Sequence, residues 1–520
     1  MPPRGSFVVP LRTCVLAAAI GLLVPSARAQ TGTAPIPTTP PPVAPQEAPG
    51  EEHAPSGPLP ATITHEELKK LIDQGIEERE KARKLEEAAK KTPSRKVTGT
   101  WNNGLSFETE DKAFRFAVGG VTQFDMGWYA ANPALVRSLG VFNNFVDPGL
   151  ALQDGMDFRR ARLRMSGYAF KNIEYYAQYE FANATDLRQR TLGIDNPAGV
   201  ANPLFTNIDP AETVGFNEVY IGLTEIPYLG NFRVGRHRES LNFVTATADN
   251  YQVWMERGLM FEAFNSNWNF SNGMTLANNY FNGRAYTLFG FFQQNSFSNR
   301  QFATVGDGNY VYDARVTCLP IWNEAEKEWG HVGFDYSYRN LSDNLIRFRA
   351  RPDIRVGSGF QVPNIVDSGT LFSRDGAQIA NLELAMARGP WTAAAEGTIA
   401  VVTNVFSGGL PAPDGSLPKG VSPRGTYLGT GAYLEVMRFL TDDHRPYVKE
   451  RPGYGRVVPT RPFSWRKGDD SRWCFDKGAW EVGVRYDYVD LTHGGVNGGT
   501  SHGITTAKLV SHLERVCKGT

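Results

Sequence analysis

The sequence predicts an all-β chain, an antiparallel transmembrane β-barrel that follows a proline-rich linker and one short periplasmic helix. Three observations support this prediction: an export leader, short runs of alternating polarity over most of the chain, and connections that differ sharply in length. Short turns on one side and long loops on the other are typical of outer-membrane barrels, whereas a soluble sandwich has no reason to separate its loops.

The first 29 residues have the features of a secretory signal peptide. Arg4 and Arg12 precede an apolar run at 14–24, and Ala27-Arg28-Ala29 forms a small-residue cleavage site. The run is too short to cross a membrane, and no later stretch approaches the roughly 20 consecutive apolar residues that a spanning helix needs. We therefore expect an exported chain without a helical anchor.

Composition excludes several classes of protein. The 54 Lys and Arg residues balance 54 Asp and Glu residues, so global charge does not favour a nucleic-acid partner. After the leader, Cys318, Cys474 and Cys517 show neither a disulfide framework nor zinc-ligand spacing. Hydrophobic residues make up 41% and glycines number 53, which is too polar for a helical membrane protein but suits alternating strands with glycine-rich turns.

Two segments separate the leader from the strands. Residues 30–63 are rich in proline, which predicts a disordered or extended linker. Thr64 and Glu67 form a capping box at the start of a charged helix over 64–92, which Pro93 ends. The helix has a weak coiled-coil seam that would reinforce an oligomer or contact the periplasm or cell wall. A solvated helix without a partner explains its many Glu and Lys residues equally well.

The barrel domain is predicted at residues 97–499, because short alternating runs separated by turns extend from Leu105 to Leu491. Tight connections such as 171–172 and 389–390 contrast with the long connection at 441–478. The fourteen predicted strands lie near 104–109, 113–129, 156–170, 173–183, 213–225, 231–238, 268–280, 283–293, 308–319, 330–340, 377–388, 391–404, 427–440 and 479–491.

One run, FRRARLRMSGYAF at 158–170, has two different faces if it is extended. Arg160, Arg162 and Arg164 share one face, and the opposite face is apolar, because side chains alternate along a strand. In a soluble sandwich the arginines would face solvent. In a transmembrane barrel the apolar face meets lipid, and the arginines become a row of anion sites along an aqueous lumen. This strand alone leaves both interpretations open.

The strands that follow the arginine strand carry further polar residues on their inward-facing side. The residues opposite the three arginines would either create an electric field across a pore or form cross-strand ion pairs. Glu218 and Tyr220 face inward on the following strand, and Arg233 comes soon after them. The inward residues opposite the arginines are Glu174, Tyr176, Gln178 and Glu180.

Together these stretches resemble the phosphate-selective porin family O and P, over about residues 104–499. The motifs are specific in combination and weak singly. They are FRRARLRMSGYAFKNIEYYAQYEFAN from residue 158, NEVYIGLTEIPYLGNFRVGRHRES from 217, MERG from 255 and GAWEVGVRYDYVDL from 478.

The resemblance implies a homotrimeric outer-membrane barrel of about sixteen strands, whose third extracellular loop folds into the lumen. It also implies an anion pathway, since guanidinium groups offer paired donors to oxyanions. From the residues and the resemblance together, the predicted pore-lining and anion-binding residues are Arg159, Arg160, Arg162, Arg164, Glu218, Tyr220, Arg233, Arg238, Ser240 and Arg257.

The chain departs from the family pattern at several positions. Val121 stands where a basic residue commonly follows Gly119-Gly120, Glu218 replaces an aspartate, and Ser240 replaces a proline. Arg238 stands in place of a lysine. Phosphate as the particular solute therefore does not follow from the resemblance.

The C-terminus fits the family pattern poorly. Residues 500–520 read as an atypical tail, with too few apolar residues in phase for two lipid-facing strands and no terminal aromatic residue. An open sheet cannot span a membrane, because unpaired backbone groups cost several kcal/mol each in hydrocarbon. We therefore expect that the last two strands are missing, so that the barrel closes at fourteen strands or the chain is a truncated or frameshifted product.

The expected function is passive diffusion of small anions, with phosphate or polyphosphate as candidate solutes, through an arginine-lined channel in the outer membrane. The alternatives are a general porin, an envelope-tethering barrel and a non-functional truncated porin. Enzyme motifs are lacking: no serine lies in a nucleophile elbow, and the eight histidines are scattered. We predict no cofactor and no metal, and we expect outer-membrane lipids and two further copies of the chain as partners.

Overall fold

The structure is a computed structural model of the 520-residue chain. Two compact units are present, Val24–Lys96 and a second one that holds Val97–Thr520. In the first unit the described residues between 66 and 81 are helical and exposed, whereas the predicted leader and linker lie outside the described residues. The structure describes residues 66, 69–70, 73–74, 76–81, 96–101, 104–142, 148–182, 215–239, 241–265, 270–293, 309–341, 344–356, 362–467, 473–476 and 478–512.

Sixteen strands of the described residues, of five residues or more, form the wall of the second unit, and we number them in chain order. They are β1 Val97–Trp101, β2 Leu105–Thr109, β3 Arg115–Gly127, β4 Gly155–Ala169, β5 Ile173–Glu180, β6 Gly215–Ile226, β7 Gly230–Arg238, β8 Phe270–Tyr280, β9 Ala285–Gln293, β10 Tyr310–Asn323, β11 Glu328–Arg339, β12 Ala377–Arg388, β13 Trp391–Ser407, β14 Ser422–Phe439, β15 Ala479–His493 and β16 Val496–His512.

Each wall strand pairs antiparallel with the next one along the chain, from β1 to β16. Tight turns close the hairpins at one end, which we call the short-turn end. At Asn282-Gly283 the φ angles of 57° and 73° suit an Asn-Gly hairpin turn. The predicted antiparallel sheet is therefore confirmed.

Apolar side chains lie on the exposed face of this sheet, which is the reverse of a soluble protein. On β11, Val332 and Phe334 are 41% and 43% exposed, whereas Asp335 on the inner face is 2% exposed. On β12, Leu384 is 46% exposed and its neighbour Glu383 is fully buried. Strands that present apolar residues outward and polar residues inward are typical of a wall that faces lipid. Of the two interpretations of the arginine strand, this sidedness favours the transmembrane one.

Short helices occupy the connections between strands. They are α1 Pro133–Phe142, α2 Phe243–Ala246 and α3 Leu259–Phe264, with 3-10 turns at Pro148–Leu150 and Asp249–Tyr251. Helix α1 begins with a proline, whose missing N–H is one that a first helical turn leaves unpaired anyway. No helix in the described part of the chain is long and apolar enough to cross a membrane.

The structure corrects the predicted strand count of fourteen and the prediction of missing C-terminal strands. Val496–His512 forms β16, which pairs with β15 along most of its length, so the predicted tail at 500–520 begins inside a strand. The prediction failed because it required every second, outward-facing residue to be apolar. Pairing with a long neighbouring strand depends instead on backbone N–H and C=O groups. Strand β1, Val97–Trp101, was also missed, because the predicted alternating pattern began only at Leu105.

The long connections are not all at the same end of the sheet, in contrast to the prediction. Residues 440–478 join β14 to β15 at the short-turn end. There the Phe439 N–H donates to the Pro390 carbonyl at 2.9 Å, and Lys449 Nζ donates to the carbonyl of Asn282 at 3.4 Å. Because antiparallel strands alternate in direction, all connections that follow an even-numbered strand lie at the same end of the sheet, and this connection follows β14. We call residues 443–457 of this connection the strap.

Two segments fill much of the space on the inner side of the sheet. One is the inner loop, residues 241–265 between β7 and β8, whose Phe243, Met260 and Phe264 are buried in the main apolar cluster. The other is the strap, which places Tyr454 in the same cluster. Close approach requires Gly431 on β14, because a Cβ there would lie 2.9 Å from the Phe264 ring.

Candidate functional site

A cavity of about 180 Å³ lies between the inner face of β4–β9, the inner loop and the strap. Its lining is charged and aromatic. Among the described residues, its ionised side chains and tyrosines are Arg162, Arg164, Arg233, Arg238, Arg451, Glu218, Asp249, Glu450, Tyr176, Tyr220, Tyr251 and Tyr286. Five arginines against three carboxylates leave an excess of positive charge.

Four arginines converge on Asp249, which lies in the 3-10 turn of the inner loop. Its carboxylate is 2.6 Å from Arg257 Nη2, 3.2 Å from Arg238 Nη2 and 3.7 Å from Arg160 Nε, and it also accepts a hydrogen bond from Arg162. All five side chains are nearly buried, with exposed fractions of 5–9%. We call this group the Asp249 cluster.

The electrostatics of the Asp249 cluster keep its aspartate ionised. Burial alone would raise the pKa of Asp249, but the surrounding guanidinium groups hold it well below its usual range. Burial and the neighbouring Arg238 lower the pKa of Arg257 to about 10, against the opposing effect of Asp249. Both groups therefore carry their charges at neutral pH.

Cross-strand carboxylates neutralise part of the predicted arginine row. Arg162 Nε lies 2.5 Å from Glu180, which also accepts from the Ala161 N–H at 2.8 Å. Arg238 Nε lies 3.8 Å from Glu218. Plain ion pairing between β4 and β5, one of the two possibilities left open by the sequence, is thus present at Arg162.

Arg164 and Arg451 differ from these paired arginines. Arg164 is half-buried on β4, opposite Gln178 of β5, and Arg451 comes from the strap. Both line the cavity, and within the described part of the chain neither forms a hydrogen bond or an ion pair. These two guanidinium groups therefore have no carboxylate partner among the described residues.

A β-bulge turns Arg159 inward. The register between β3 and β4 pairs Gln123 with Arg160 and Phe124 with Phe158, so Arg159 is the extra residue. Arg159 forms an ion pair with Glu256 of the inner loop, to which Arg355 Nη2 also donates at 2.7 Å. Arg159 therefore belongs to a second network, separate from the Asp249 cluster.

Tyrosines form one side of the cavity. Tyr176 and Tyr220 stack with ring centroids 5.3 Å apart, and the guanidinium of Arg233 lies 5.1 Å from the Tyr220 centroid. Arg233 also pairs with Glu174 at 2.5 Å. Arg233 is thereby fixed by a carboxylate and a ring, and its charge is partly compensated.

The structure brings together most of the predicted residues. Arg160, Arg162, Arg238 and Arg257 meet at Asp249, and Arg164, Glu218, Tyr220 and Arg233 line the same cavity. Arg159 lies in the other network, and Ser240 lies outside the described residues.

Sequence reasoning missed Asp249 and Arg451. Asp249 is the single aspartate of the connection 239–269 between β7 and β8, where the sequence offers an acid opposite so many arginines. Arg451 gave no such indication, because its connection was assigned to the wrong end of the sheet. No group of three or more His, Cys, Asp or Glu residues that could hold a metal ion occurs among the residues described.

Comparisons with known proteins agree with this architecture. The family model described as phosphate-selective porin O and P matches residues 140–508, more than half of the chain. Porin O of Pseudomonas aeruginosa is 24% identical over 404 residues, which cover 75% of each chain. An uncharacterized protein of Caulobacter vibrioides is 24% identical over 423 residues, 80% of this chain and 69% of that one.

Solved structures of porins are also similar, at low sequence identity. An anion-selective porin from Comamonas acidovorans has a TM-score of 0.29 and 10% identity, covering 75% of this chain and 94% of that one. Pseudomonas putida OprB has a TM-score of 0.34 and 10% identity, covering 77% and 93%. The family match and the sidedness of the wall define an outer-membrane porin. The chain belongs to the phosphate-selective porin O and P family.

Proposed function

We propose that the chain forms an anion-selective diffusion channel whose sheet closes into a barrel and whose narrow part is the cavity beside the Asp249 cluster. The observation that carries this proposal is the excess of arginines in the lining, with Arg164 and Arg451 free of carboxylate partners among the described residues. In a confined space of low dielectric constant, unpaired guanidinium groups attract anions and repel cations.

Small oxyanions are the proposed solutes. Guanidinium groups offer paired N–H donors that match phosphate and carboxylate oxygens, and Tyr176 can add a hydroxyl donor. The Tyr176 oxygen accepts from Gln178 Nε2 at 3.2 Å, which leaves its own proton for another acceptor. The family name supports phosphate-like ions, although the paired arginines of the Asp249 cluster favour weak binding and therefore passage of anions in general.

The channel is proposed to work as a homotrimer, exported by its signal peptide, with residues 64–92 as a periplasmic helix that associates only when the barrels are together. Isolated short helices are marginal in water, and tethering raises their effective concentration. Native mass spectrometry in detergent should detect trimers of the full chain. Trimers that are equally stable without residues 64–91 would make the helix a spacer or tether instead.

The test is a reversal potential in planar bilayers under a potassium chloride gradient. The wild-type channel should show the sign of an anion pore. The double variant Arg164→Ala/Arg451→Ala should lower the anion-to-cation permeability ratio severalfold. Arg388→Ala is the matched control: its side chain is 73% exposed and lies 3.7 Å from Glu328, at the short-turn end.

Two outcomes would contradict the proposal. A wild-type reversal potential with the sign of a cation pore would exclude an anion channel. An unchanged permeability ratio in the double variant would show that neither arginine contacts the ions that pass. The control variant should leave the ratio at the wild-type value.

A further inference from the structure

Asp249 is bound by its neighbours in the way that a soluble anion would be. Its carboxylate forms ion pairs with guanidinium groups of two strands and of its own loop, with Arg160 and Arg162 on β4, Arg238 on β7, and Arg257 in the inner loop. Among the described carboxylates of the cavity lining, Glu218 reaches only one of these four arginines, Arg238, at 3.8 Å.

The inner loop holds this carboxylate firmly in place. Arg257 donates through Nε to the Val244 carbonyl and through Nη2 to the Thr247 carbonyl, both at 3.1 Å. Arg238 donates to the Thr245 carbonyl at 3.2 Å. These bonds fix both the arginines and the loop that carries Asp249. A tethered carboxylate has a much higher effective concentration than a dissolved ion, so a mobile oxyanion competes poorly for the same donors.

We propose that Asp249 is the specificity-determining residue of the channel, because its carboxylate occupies the oxyanion position of the four-arginine cluster. Dissolved anions then pass beside Asp249 and contact Arg164 and Arg451, but they are not bound tightly. The wild-type channel discriminates by charge and does not bind phosphate tightly. This inference rests on the proposed anion channel and names the residue that limits its solute binding.

The geometry indicates what removal of this carboxylate would do. Asp249→Ala keeps the backbone of the loop but removes the carboxylate from among four guanidinium groups and leaves its position open. Phosphate supplies both the charge and the oxygen acceptors that these donors would then lack. The variant should therefore convert the cluster from an internal ion-pair network into a site for a multivalent oxyanion.

The experiment measures chloride conductance in planar bilayers while inorganic phosphate is added. Phosphate should block the wild-type channel only weakly. In Asp249→Ala the half-blocking phosphate concentration should fall by about tenfold or more, equivalent to about 1.4 kcal/mol. Glu218→Gln removes a charge that lies near one arginine only and should shift the value much less. The matched control is Asp414→Asn, at an exposed carboxylate outside the cavity lining, which should stay at the wild-type value.

Tight phosphate block of the wild-type channel, as strong as that of Asp249→Ala, would overturn the inference. An equal shift in Glu218→Gln would also overturn it, because it would show a general effect of charge. If Asp249→Ala fails to assemble into a heat-modifiable band, Asp249→Ser is titrated in its place and should show the same fall in the half-blocking phosphate concentration. The reversal potential in potassium chloride tests the proposed function, and the phosphate titration tests this inference. A channel that is anion-selective but is blocked tightly by phosphate would contradict the inference alone.

Discussion

Arginines line the inner face of this porin on two sides, and the two sides use them differently. On the packed side, Arg315, Arg339, Arg445 and Arg485 are 0–2% exposed. On the cavity side, Arg164 and Arg451 are half-buried, line the cavity and have no carboxylate partner among the described residues. The residue type is the same, but its role depends on the number of carboxylates that surround it.

On the packed side the carboxylates outnumber the arginines. Arg315 lies 2.7 Å from Glu383 and 3.2 Å from Asp335. The remaining pairs there are Arg485 with Asp487 and Asp353, Arg445 with Glu481, and Arg339 with Glu239. Such compensated arginines connect the wall to the strap and the loops, for example through the bond from Arg315 Nη2 to the Pro452 carbonyl at 2.9 Å.

The comparison teaches that an inward arginine does not by itself indicate an anion site. A buried guanidinium with its own carboxylates contributes to the architecture, whereas one that exceeds the local carboxylates is available to a solute. The Asp249 cluster lies between these two cases. All four of its arginines pair with Asp249, and two of them have a second carboxylate nearby: Glu180 for Arg162 and Glu218 for Arg238.

The largest expected effect is on the packed side, for Arg315→Met. This change leaves Glu383 and Asp335 buried without their cation, and breaking a buried pair in this way costs about 3–5 kcal/mol. We expect a large loss of the heat-modifiable band on unheated gels and a lower midpoint of unfolding in urea. Arg164→Met is the matched control and should change the unfolding free energy by less than about 1 kcal/mol. Equal effects of the two variants would remove the distinction between the sides.

Acid should release the inner loop, with an effect of intermediate size. Burial opposes the shift, but neighbouring arginines lower the pKa values of Asp249, Glu256 and Glu262. A carboxylate whose pKa is lower in the docked loop than in the released loop stabilises docking at pH values above about 4, its ordinary pKa. This stabilisation is lost as the pH falls further.

Single-channel conductance should therefore be constant from neutral pH down to about pH 5, and it should become noisy or larger only below about pH 4. Proteolysis of the inner loop, measured after brief exposure to each pH, gives an independent readout. A change centred near pH 6 to 7 would mean that a group other than these three carboxylates controls the loop.

The smallest expected effect concerns the strap. Tyr454 Oη donates to Glu435 at 2.9 Å, and Trp254 Nε1 donates to the other oxygen of Glu435 at 2.6 Å. Tyr454→Phe removes one of these two donors and should lower the unfolding free energy by about 1–2 kcal/mol, without changing ion selectivity. Tyr338→Phe, at a half-buried tyrosine that loses only a 3.4 Å bond to the Asp375 carbonyl, is the control and should have almost no effect. A changed reversal potential in Tyr454→Phe would show that the strap contributes to ion selectivity.

Much of the fold was predictable because it depends on local alternation. The sequence placed Arg160, Arg162 and Arg164 on one face of β4, and that face is the inner one. The bulge at Arg159 was not predictable. One extra residue changes the face of the sheet on which nearby side chains lie, and the residue types around it give no indication of this. Strand β16 was missed for a related reason, since its pairing depends on backbone groups of β15.

The sequence by itself determined an antiparallel sheet with an apolar outer face and an arginine-bearing inner face, because both properties follow from a period of two along each strand. Only the tertiary structure decided which arginines are compensated. Asp249 and Arg451 reach the cavity from connections that are distant in sequence from β4, and the position of a connection depends on the whole sheet. Contacts between such distant segments leave no periodic pattern in the chain.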